Sequence, residues 1–385
     1  MEKMKRCFSK KNESSHMINF DYLKLINEIP LALILELIKT KHKQRIKYPK
    51  RILIVNIGLI GDFVVSLPAL KSFMEDYRRS KFDIVVSPVC KDLGQHITGI
   101  DNVYSFKSVY GRNIEKNINI KENKKLSRTS YDYILIMRCS WNFFPFLQRI
   151  KYKHLHTYSL PFLIYGLKMA YYALNKKAKV EQWKDINFKF VNKEIDLSTK
   201  RLENIFDIRE KDIEKVKKII CFSEDKNRGK IVIHLGSGWK VKLWENEKWV
   251  SLIKRIDESG NFCFYFVGGN EEKKMFDIIK DRTNAKIYSF IGRMNLYEVI
   301  ILMRLSDFFI GVDSGPRNMA DVAGLKGVHL LGPGIQNFMP IRKESVAIRK
   351  RVCTCANLIC TRDGECIKSI TVDDVFNAFM KLSKK

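Results

Sequence analysis

From Arg51 onward, the hydrophobic positions of the chain form short, nearly unbroken apolar runs that alternate with longer stretches of helical spacing. Such alternation predicts βαβ units and parallel sheets, and therefore an α/β protein. The first series predicts strands at 52–57, 82–87, 103–106 and 131–137, and helices at 67–77 and after residue 91. The second series predicts strands at 231–235, 262–267, 286–290, 307–312 and 327–331, and helices at 245–257, 271–283, 296–305 and 316–323.

Two such series within 385 residues indicate two domains, because a single core of that length is uncommon. Thr371 and Asp374 have the spacing of a capping box, which predicts a helix start near the C-terminus. The predicted organisation is a basic leader at 1–50, a first domain at 51–180, an inter-domain crossover at 181–230, a second domain at 231–370 and a C-terminal helix at 371–385.

The charge of the chain is strongly basic, with 70 Lys and Arg against 42 Asp and Glu and a net charge of +28. This balance favours an anionic partner, although a composition rich in Lys, Ile and Asn also suits an AT-rich genome. The sequence contains no signature of a recognition helix, a zinc finger or an RNA-binding domain. We therefore expect no nucleic-acid partner.

Two apolar stretches, at 29–38 and 160–174, are each followed by a cluster of basic residues. Both are shorter than the roughly 20 residues that span a bilayer. They could lie on an anionic membrane surface, or pack as helices on the first domain with their polar faces solvated. Because no secretory signal is visible, we expect reduced cysteines and a cytoplasmic protein, with peripheral contact to the inner face of the membrane as one option.

The first candidate site is the end of the strand at 51–57, which runs into Gly58, Gly61 and Asp62. Ligands bind at the carboxyl ends of strands in parallel sheets, and glycines let a backbone turn tightly there. Asp62 falls in the first turn of the next helix. Its carboxylate could accept a proton from a hydroxyl nucleophile, or it could simply cap the helix.

A second strand, at 307–312, runs into Asp313, Ser314, Gly315 and Pro316. Ser314 is suited to the N-cap of a helix and Pro316 to its first turn. The amides of that turn and the helix dipole favour a bound phosphate. Asp313 would repel a phosphate, so it is better suited to sugar hydroxyls, or to a structural role in the turn.

The third candidate is the loop after the strand at 231–235, which contains Gly236, Ser237, Gly238 and two lysines. The glycines permit close approach, the serine can donate to a phosphate oxygen, and a lysine can neutralise a leaving diphosphate. The spacing is not that of a Walker A loop. The alternative is a plain strand connection whose lysines face solvent.

In this order, the three motifs resemble those of glycosyltransferase family 9, the heptosyltransferase-type enzymes of lipopolysaccharide core assembly. The resemblance extends over roughly 51–382 and includes a late Gly-Pro at 332–333. It is carried by Gly-Asp at 61–62, by the loop at 234–244 and by Asp-Ser-Gly-Pro at 313–316. The chain departs from the family at Arg317 and Asn318, where Met-His is usual, and at Ile60 and Leu235.

The resemblance implies the GT-B architecture, in which two Rossmann-like domains with parallel sheets face a central cleft. It implies an inverting transfer, without cofactor or metal, of heptose from ADP-heptose to an anionic lipid-linked saccharide such as the lipopolysaccharide core. The alternatives are the same fold with a UDP- or GDP-hexose donor, or a non-catalytic homologue that binds sugar nucleotides. The implied general base is Asp62, and the implied donor-binding residues are Gly61, Gly236, Ser237, Lys242, Asp313, Ser314 and Gly315.

Four cysteines, at 353, 355, 360 and 366, lie close together near the C-terminus. Four neighbouring thiols can bind zinc or an iron–sulfur cluster. Their spacing does not match a standard pair of Cys-x-x-Cys motifs, so we expect no metal.

Overall fold

The computed structural model describes residues 48–106, 120–138, 143–157, 183–191, 202, 204–220, 227–333, 339–350, 360 and 362–384. Nearly all of the predicted leader lies outside these residues. So do the apolar-basic segment at 160–179 and the cysteines Cys353 and Cys355.

The first sheet has five strands in the order β3-β2-β1-β4-β5, and every neighbouring pair is parallel. Its strands are β1 (Arg51–Asn56), β2 (Lys81–Val86), β3 (Asn102–Ser105), β4 (Ser130–Arg138) and β5 (Lys151–Thr157). The two central strands, β1 and β4, are almost entirely buried. Burial on both faces explains why they read as continuous Ile, Leu and Val runs.

The helices of the first series are α1 (Ile60–Asp76), α2 (Lys91–Gln95), α3 (Ile120–Arg128), α4 (Phe144–Leu147) and α5 (Trp183–Phe190). Helix α6 (Glu210–Ile219) follows in the predicted crossover, and its Lys215 forms an ion pair with Glu298 of the second series. Helix α1 starts at Ile60, whereas the pattern predicted a start at residue 67. Pro68 therefore lies inside the helix, although proline cannot donate a helical hydrogen bond. The earlier start places Asp62 in the first turn, as expected.

The second sheet has six parallel strands in the order β11-β10-β9-β6-β7-β8. Its strands are β6 (Gly229–His234), β7 (Phe262–Phe266), β8 (Ile287–Ser289), β9 (Phe308–Val312), β10 (Gly327–Leu330) and β11 (Val346–Ile348). Its helices are α7 (Asn246–Ser259), α8 (Lys273–Asp281), α9 (Leu296–Arg304), α10 (Gly315–Ala323), α11 (Glu365–Lys368) and α12 (Val372–Ser383).

The predicted capping box at the start of α12 is confirmed. The Asp374 amide donates to Thr371 Oγ1 at 3.2 Å, and the Thr371 amide donates to Asp374 Oδ2 at 2.8 Å.

Both sheets are Rossmann-like, because strand order reverses at the centre of each, between β1 and β4 and between β6 and β9. The predicted α/β class with two parallel sheets is therefore confirmed.

The two sheet units contact each other through their helices. Helix α1 packs against α10, and α2 packs near the start of α9. In the second contact the rings of His96 and Tyr297 stack with centroids 3.4 Å apart. The exact domain limits stay a prediction. Within the described part of the chain, no helix has the length and apolarity needed to cross a bilayer.

Candidate active site

The first sheet presents a charged pair at its point of strand reversal. Asp62 lies just after β1, in the first turn of α1, and Arg138 is the last residue of β4. Arg138 Nη2 lies 3.2 Å from Asp62 Oδ1, with side chains 22% and 21% exposed, respectively. The carboxylate is therefore paired yet remains accessible from solvent.

Hydrogen bonds from two neighbouring strands hold the loop that leads to Asp62. The Ile57 amide donates to the Arg138 carbonyl at 2.8 Å, and Ser87 Oγ donates to the Gly58 carbonyl at 2.7 Å. A Cβ atom on Gly58 would lie 3.0 Å from the Asp62 Cβ atom. The start of the turn is thus fixed, and there is little space for a side chain at residue 58.

In the second sheet, the point of strand reversal lies between β6 and β9, and Asp313 follows β9 there. Lys242, in a short 3₁₀ turn at Lys240–Lys242, places Nζ 2.7 Å from Asp313 Oδ2. Arg317 Nε lies 3.5 Å from Asp313 Oδ1. Burial alone would raise the pKa of Asp313, but Lys242 and Arg317 outweigh burial and hold the pKa below its usual value.

The glycine-rich loop after β6 folds back onto the end of β9. Ser237 Oγ donates to the Asp313 carbonyl at 3.4 Å and accepts from the Trp239 amide at 3.4 Å. The Lys242 ammonium lies 5.1 Å from the centroid of the Trp239 ring. The loop therefore brings a hydroxyl and a cation to the same strand end.

Ser314 occupies the N-cap position of α10, as predicted, but its hydroxyl makes no capping bond to the helix. Its Oγ instead lies 3.0 Å from His234 Nδ1 and donates to the Val312 carbonyl at 3.0 Å. The Ser314 side chain thus leaves the first-turn amides of α10 uncapped. Uncapped amides at a helix start are suited to binding an anion.

A buried pair that the sequence did not predict lies beneath this loop. Glu272 Oε1 is 3.8 Å from His234 Nε2, and a Cβ atom on Gly236 would overlap the Glu272 carboxyl. Burial, together with Glu271, raises the pKa of Glu272 to about 7. Burial lowers the pKa of His234 to about 4. Gly236 therefore accommodates the Glu272 side chain.

The two halves of the site meet at two glycines. A Cβ atom on Gly61 would lie 2.9 Å from Asn318 Nδ2 and 3.7 Å from the Gly315 Cα atom. A Cβ atom on Gly315 would lie 2.8 Å from Ile60 Cγ2. The starts of α1 and α10 are thus in direct contact. The turn with Asp62 and the turn after β9 consequently lie side by side.

The family model for glycosyltransferase family 9 (heptosyltransferase) matches residues 120–363, more than half of the sequence. The chain belongs to glycosyltransferase family 9. The resemblance noted from the motifs is thereby confirmed. No curated protein sequence matches the chain.

Solved structures of family members share the fold. A family 9 glycosyl transferase from Veillonella parvula DSM 2008 has a TM-score of 0.68 and 16% identity, covering 88% of this chain and 98% of its own. The E. coli ADP-heptose lipopolysaccharide heptosyltransferase II has a TM-score of 0.63 and 16% identity, covering 86% and 98%. The E. coli heptosyltransferase WaaC, in a structure with ADP, has a TM-score of 0.57 and 16% identity, covering 87% and 98%. At this identity the likeness establishes the fold, which is the GT-B architecture.

The structure of this family 9 chain brings most of the predicted site residues to the contact between α1 and α10 or against Asp313 beside it: Gly61, Asp62, Ser237, Lys242, Asp313, Ser314 and Gly315. Gly236 lies nearby but packs against Glu272. The sequence reasoning missed Arg138 and Glu272. Arg138 directly follows the apolar run of β4, so the rule that places ligands at strand ends could have identified it.

The cysteine cluster of this family 9 chain is only partly described. Cys360 and Cys366 lie within the described residues, and Cys360 Sγ accepts from the Gly364 amide at 3.2 Å. Among the described residues, no group of three or more potential metal ligands occurs. The metal hypothesis for the cluster depends on Cys353 and Cys355, which lie outside those residues.

Proposed function

We propose that the chain transfers a sugar from a nucleotide-sugar donor to a hydroxyl of a lipid-linked saccharide. The reaction would be a single inverting displacement at the anomeric carbon. The observation that carries this proposal is the contact between Gly61 and Gly315. It supports a cleft with a carboxylate base on one side and a phosphate-binding turn on the other.

Asp62 is the proposed general base. A base must lie within hydrogen-bond reach of the hydroxyl that it deprotonates, and the partly exposed Asp62 carboxylate borders the cleft. The Arg138 guanidinium, 3.2 Å away, restrains the carboxylate in one orientation. The acceptor hydroxyl would approach the face of the carboxylate that Arg138 leaves open.

The donor diphosphate is proposed to bind at the start of α10. Lys242, the uncapped amides of α10 and the Ser237 hydroxyl would neutralise the charge that develops on the leaving group. Gly315 would bring the backbone close to the phosphates, while Gly236 would shape the loop. These groups can stabilise a leaving diphosphate without a metal ion. Asp313 would then contact the donor sugar.

ADP-heptose is the proposed donor, because the E. coli WaaC structures contain ADP and ADP-2-deoxy-2-fluoro heptose. The net charge of +28 favours an anionic acceptor, such as a phosphorylated lipopolysaccharide core. An acceptor of this kind would place the enzyme in the cytoplasm, in peripheral contact with the inner leaflet.

The test is a thermal-shift screen of the purified chain with ADP, UDP, GDP and their sugar conjugates, followed by transfer assays with the conjugate that binds. A selective shift with ADP and ADP-heptose, and transfer to a lipid A core acceptor, are the expected results. A selective shift with UDP or GDP would replace the proposed donor with a hexose nucleotide. Binding of a conjugate without transfer to any core acceptor would favour a non-catalytic homologue.

A further inference from the structure

Two buried polar side chains near the site have no role in the proposed reaction. Arg317 is 0% exposed and Asn318 is 4% exposed, and both lie in α10 directly after the phosphate-binding turn. Burying a guanidinium is costly unless its charge is compensated. These are also the two residues at which the chain departs from its family's usual Met-His pair.

The guanidinium of Arg317 lies between two carboxylates. Its Nε is 3.5 Å from Asp313 Oδ1, and its Nη1 is 4.0 Å from Asp321 Oδ2. Its Nη2 donates to Asn318 Oδ1 at 2.7 Å. Among the described residues, Nε and Nη1 have no hydrogen-bond partner. Nε is therefore available to donate to Asp313, and Nη1 to Asp321.

Asp313 is also paired with Lys242, which is more exposed than Arg317. Lys242 holds Asp313 Oδ2 at 2.7 Å, but its side chain is 17% exposed, whereas that of Arg317 is fully buried. Lys242 is the cation proposed above to engage the donor diphosphate. If its ammonium turns toward the phosphates, Asp313 loses its shortest ion pair. Arg317 is enclosed on all sides and stays in place.

Asn318 extends this arrangement to the other half of the cleft. Its Oδ1 is held by Arg317, so its Nδ2 is directed to the turn that contains Gly61. A Cβ atom on Gly61 would lie 2.9 Å from that Nδ2. Asp62 is the next residue. A continuous set of contacts thus joins Asp313 to the turn of the proposed base.

We infer that Arg317 and Asn318 are positioning residues of the transfer reaction. Arg317 keeps Asp313 ionised and oriented toward the donor sugar after Lys242 has moved to the diphosphate. Asn318, fixed by Arg317, sets the distance between α10 and the Asp62 turn. This inference rests on the proposed function, because the roles of Asp313 and Lys242 belong to it.

Several charged groups lie around the Asp313 carboxylate and affect its ionisation. Lys242, Arg317 and Arg349 act on the Asp313 carboxylate, and Arg317 also faces Asp321 and His329. Burial keeps His329 neutral by holding its pKa well below the usual value. With Lys242 removed, the Arg317 guanidinium still lies 3.5 Å from Asp313 Oδ1.

The first experiment uses the ligand-free protein. Lys242→Ala mimics the departure of the lysine, and ¹³C-carboxyl NMR, assigned with Asp313→Asn, follows the titration of Asp313. We expect the Asp313 pKa to stay low in Lys242→Ala and to rise by at least one unit, a tenfold change in proton affinity, in Lys242→Ala/Arg317→Met. Lys242→Ala/Arg317→Lys should restore most of the low value. If the Asp313 pKa were the same in Lys242→Ala and in Lys242→Ala/Arg317→Met, the inference would be overturned.

The second experiment uses calorimetry to distinguish an effect on binding of the nucleotide from an effect on binding of the sugar. Arg317→Met should bind ADP within about twofold of wild type, but should lose at least fivefold in affinity for ADP-heptose. An equal loss for both ligands would mean a general structural role and would also overturn the inference. Thermal unfolding and the Arg317→Lys variant control for misfolding. If wild type binds neither ligand, the proposed function fails, and the NMR titration still decides whether Arg317 governs the ionisation of Asp313.

Discussion

Arg138 and Asp62 form an ion pair at the carboxyl end of the central strands of the first sheet, with Nη2 and Oδ1 3.2 Å apart. Both side chains are partly solvated, so the pair contributes at most about 1 kcal/mol to stability. The pair mainly orients the Asp62 carboxylate, because the Arg138 carbonyl also accepts a hydrogen bond from the Ile57 amide in the loop before Asp62. The carboxylate is held at the cleft where an acceptor hydroxyl would arrive.

The ion pair makes Asp62→Asn a clean test of the base. An asparagine Oδ1 can still accept from Arg138, so the turn should keep its shape, but the amide cannot take up a proton. We expect turnover to fall by roughly 10²- to 10⁴-fold, with donor affinity unchanged. Glu75→Gln, at the far exposed end of the same helix, is the matched control for loss of a negative charge. Near-normal turnover of Asp62→Asn would refute the assignment.

Lys242 and Lys240 lie in the same 3₁₀ turn, yet only Lys242 contacts Asp313. Loss of a charge-assisted contact to the diphosphate corresponds to about 1.5–3 kcal/mol. Lys242→Ala should therefore weaken ADP binding by roughly 10- to 100-fold, whereas Lys240→Ala, an exposed position, should change it little. Calorimetric titration with ADP measures both variants. Equal losses in the two variants would indicate a diffuse effect of charge instead of a specific contact.

The contact at Gly315 predicts a specific steric conflict. In Gly315→Ala, the new methyl group would lie 2.8 Å from Ile60 Cγ2, so we expect a loss of about 1–3 kcal/mol in the free energy of unfolding. Gly238→Ala is the stability control, because no atom lies within 4 Å of a Cβ there. Because the new methyl group would also lie 2.9 Å from Ile60 Cβ, the relieving change is Ile60→Gly. Combining Gly315→Ala with Ile60→Gly should cost less than the sum of the single changes in urea unfolding. Strict additivity would mean that the two residues are not in contact.

Glu272 should make stability depend on pH. Folding raises its pKa to about 7, so the folded state holds the proton more tightly than the unfolded chain, where the pKa is about 4.3. Its contribution to stability is therefore complete below about pH 4 and is lost as the pH rises through 7.

Glu272→Gln keeps the shape of the side chain and removes this titration. Between pH 4.5 and 8, the free energy of unfolding of wild type should fall relative to Glu272→Gln by on the order of 2–3 kcal/mol. Urea unfolding at several pH values measures the difference, and the exposed Glu258→Gln serves as control. A difference that stays constant with pH would show that Glu272 titrates normally.

The sequence predicted correctly those strands whose pattern of apolar residues reflects their burial in the fold. Strands β1, β4 and β9 are apolar runs because both faces of a central parallel strand are covered. Strand β5 was missed, since its lysines and histidines alternate with few apolar residues at the sheet edge. Strand β11 was missed because it has only three residues, also at an edge.

For the candidate site, local sequence indicated which residues follow strand ends, but not which of them meet. Asp62 and Asp313 were identified because each follows an apolar strand and precedes a helix. The pairing of Asp62 with Arg138 depends on the order of strands in the sheet. Glu272 packs against Gly236 from a different loop, so their contact is not visible in local sequence. A glycine-rich loop has the same sequence pattern whether its glycines make space for a ligand or for a neighbouring carboxyl group.

The glycine contact between α1 and α10 has an evolutionary consequence. Neither Gly61 nor Gly315 can acquire a side chain unless Asn318 or Ile60 gives way. Substitutions at one of these positions should therefore be accompanied by compensating changes at its neighbour. In homologous sequences, residue 61 should covary with residue 318, and residue 315 with residue 60.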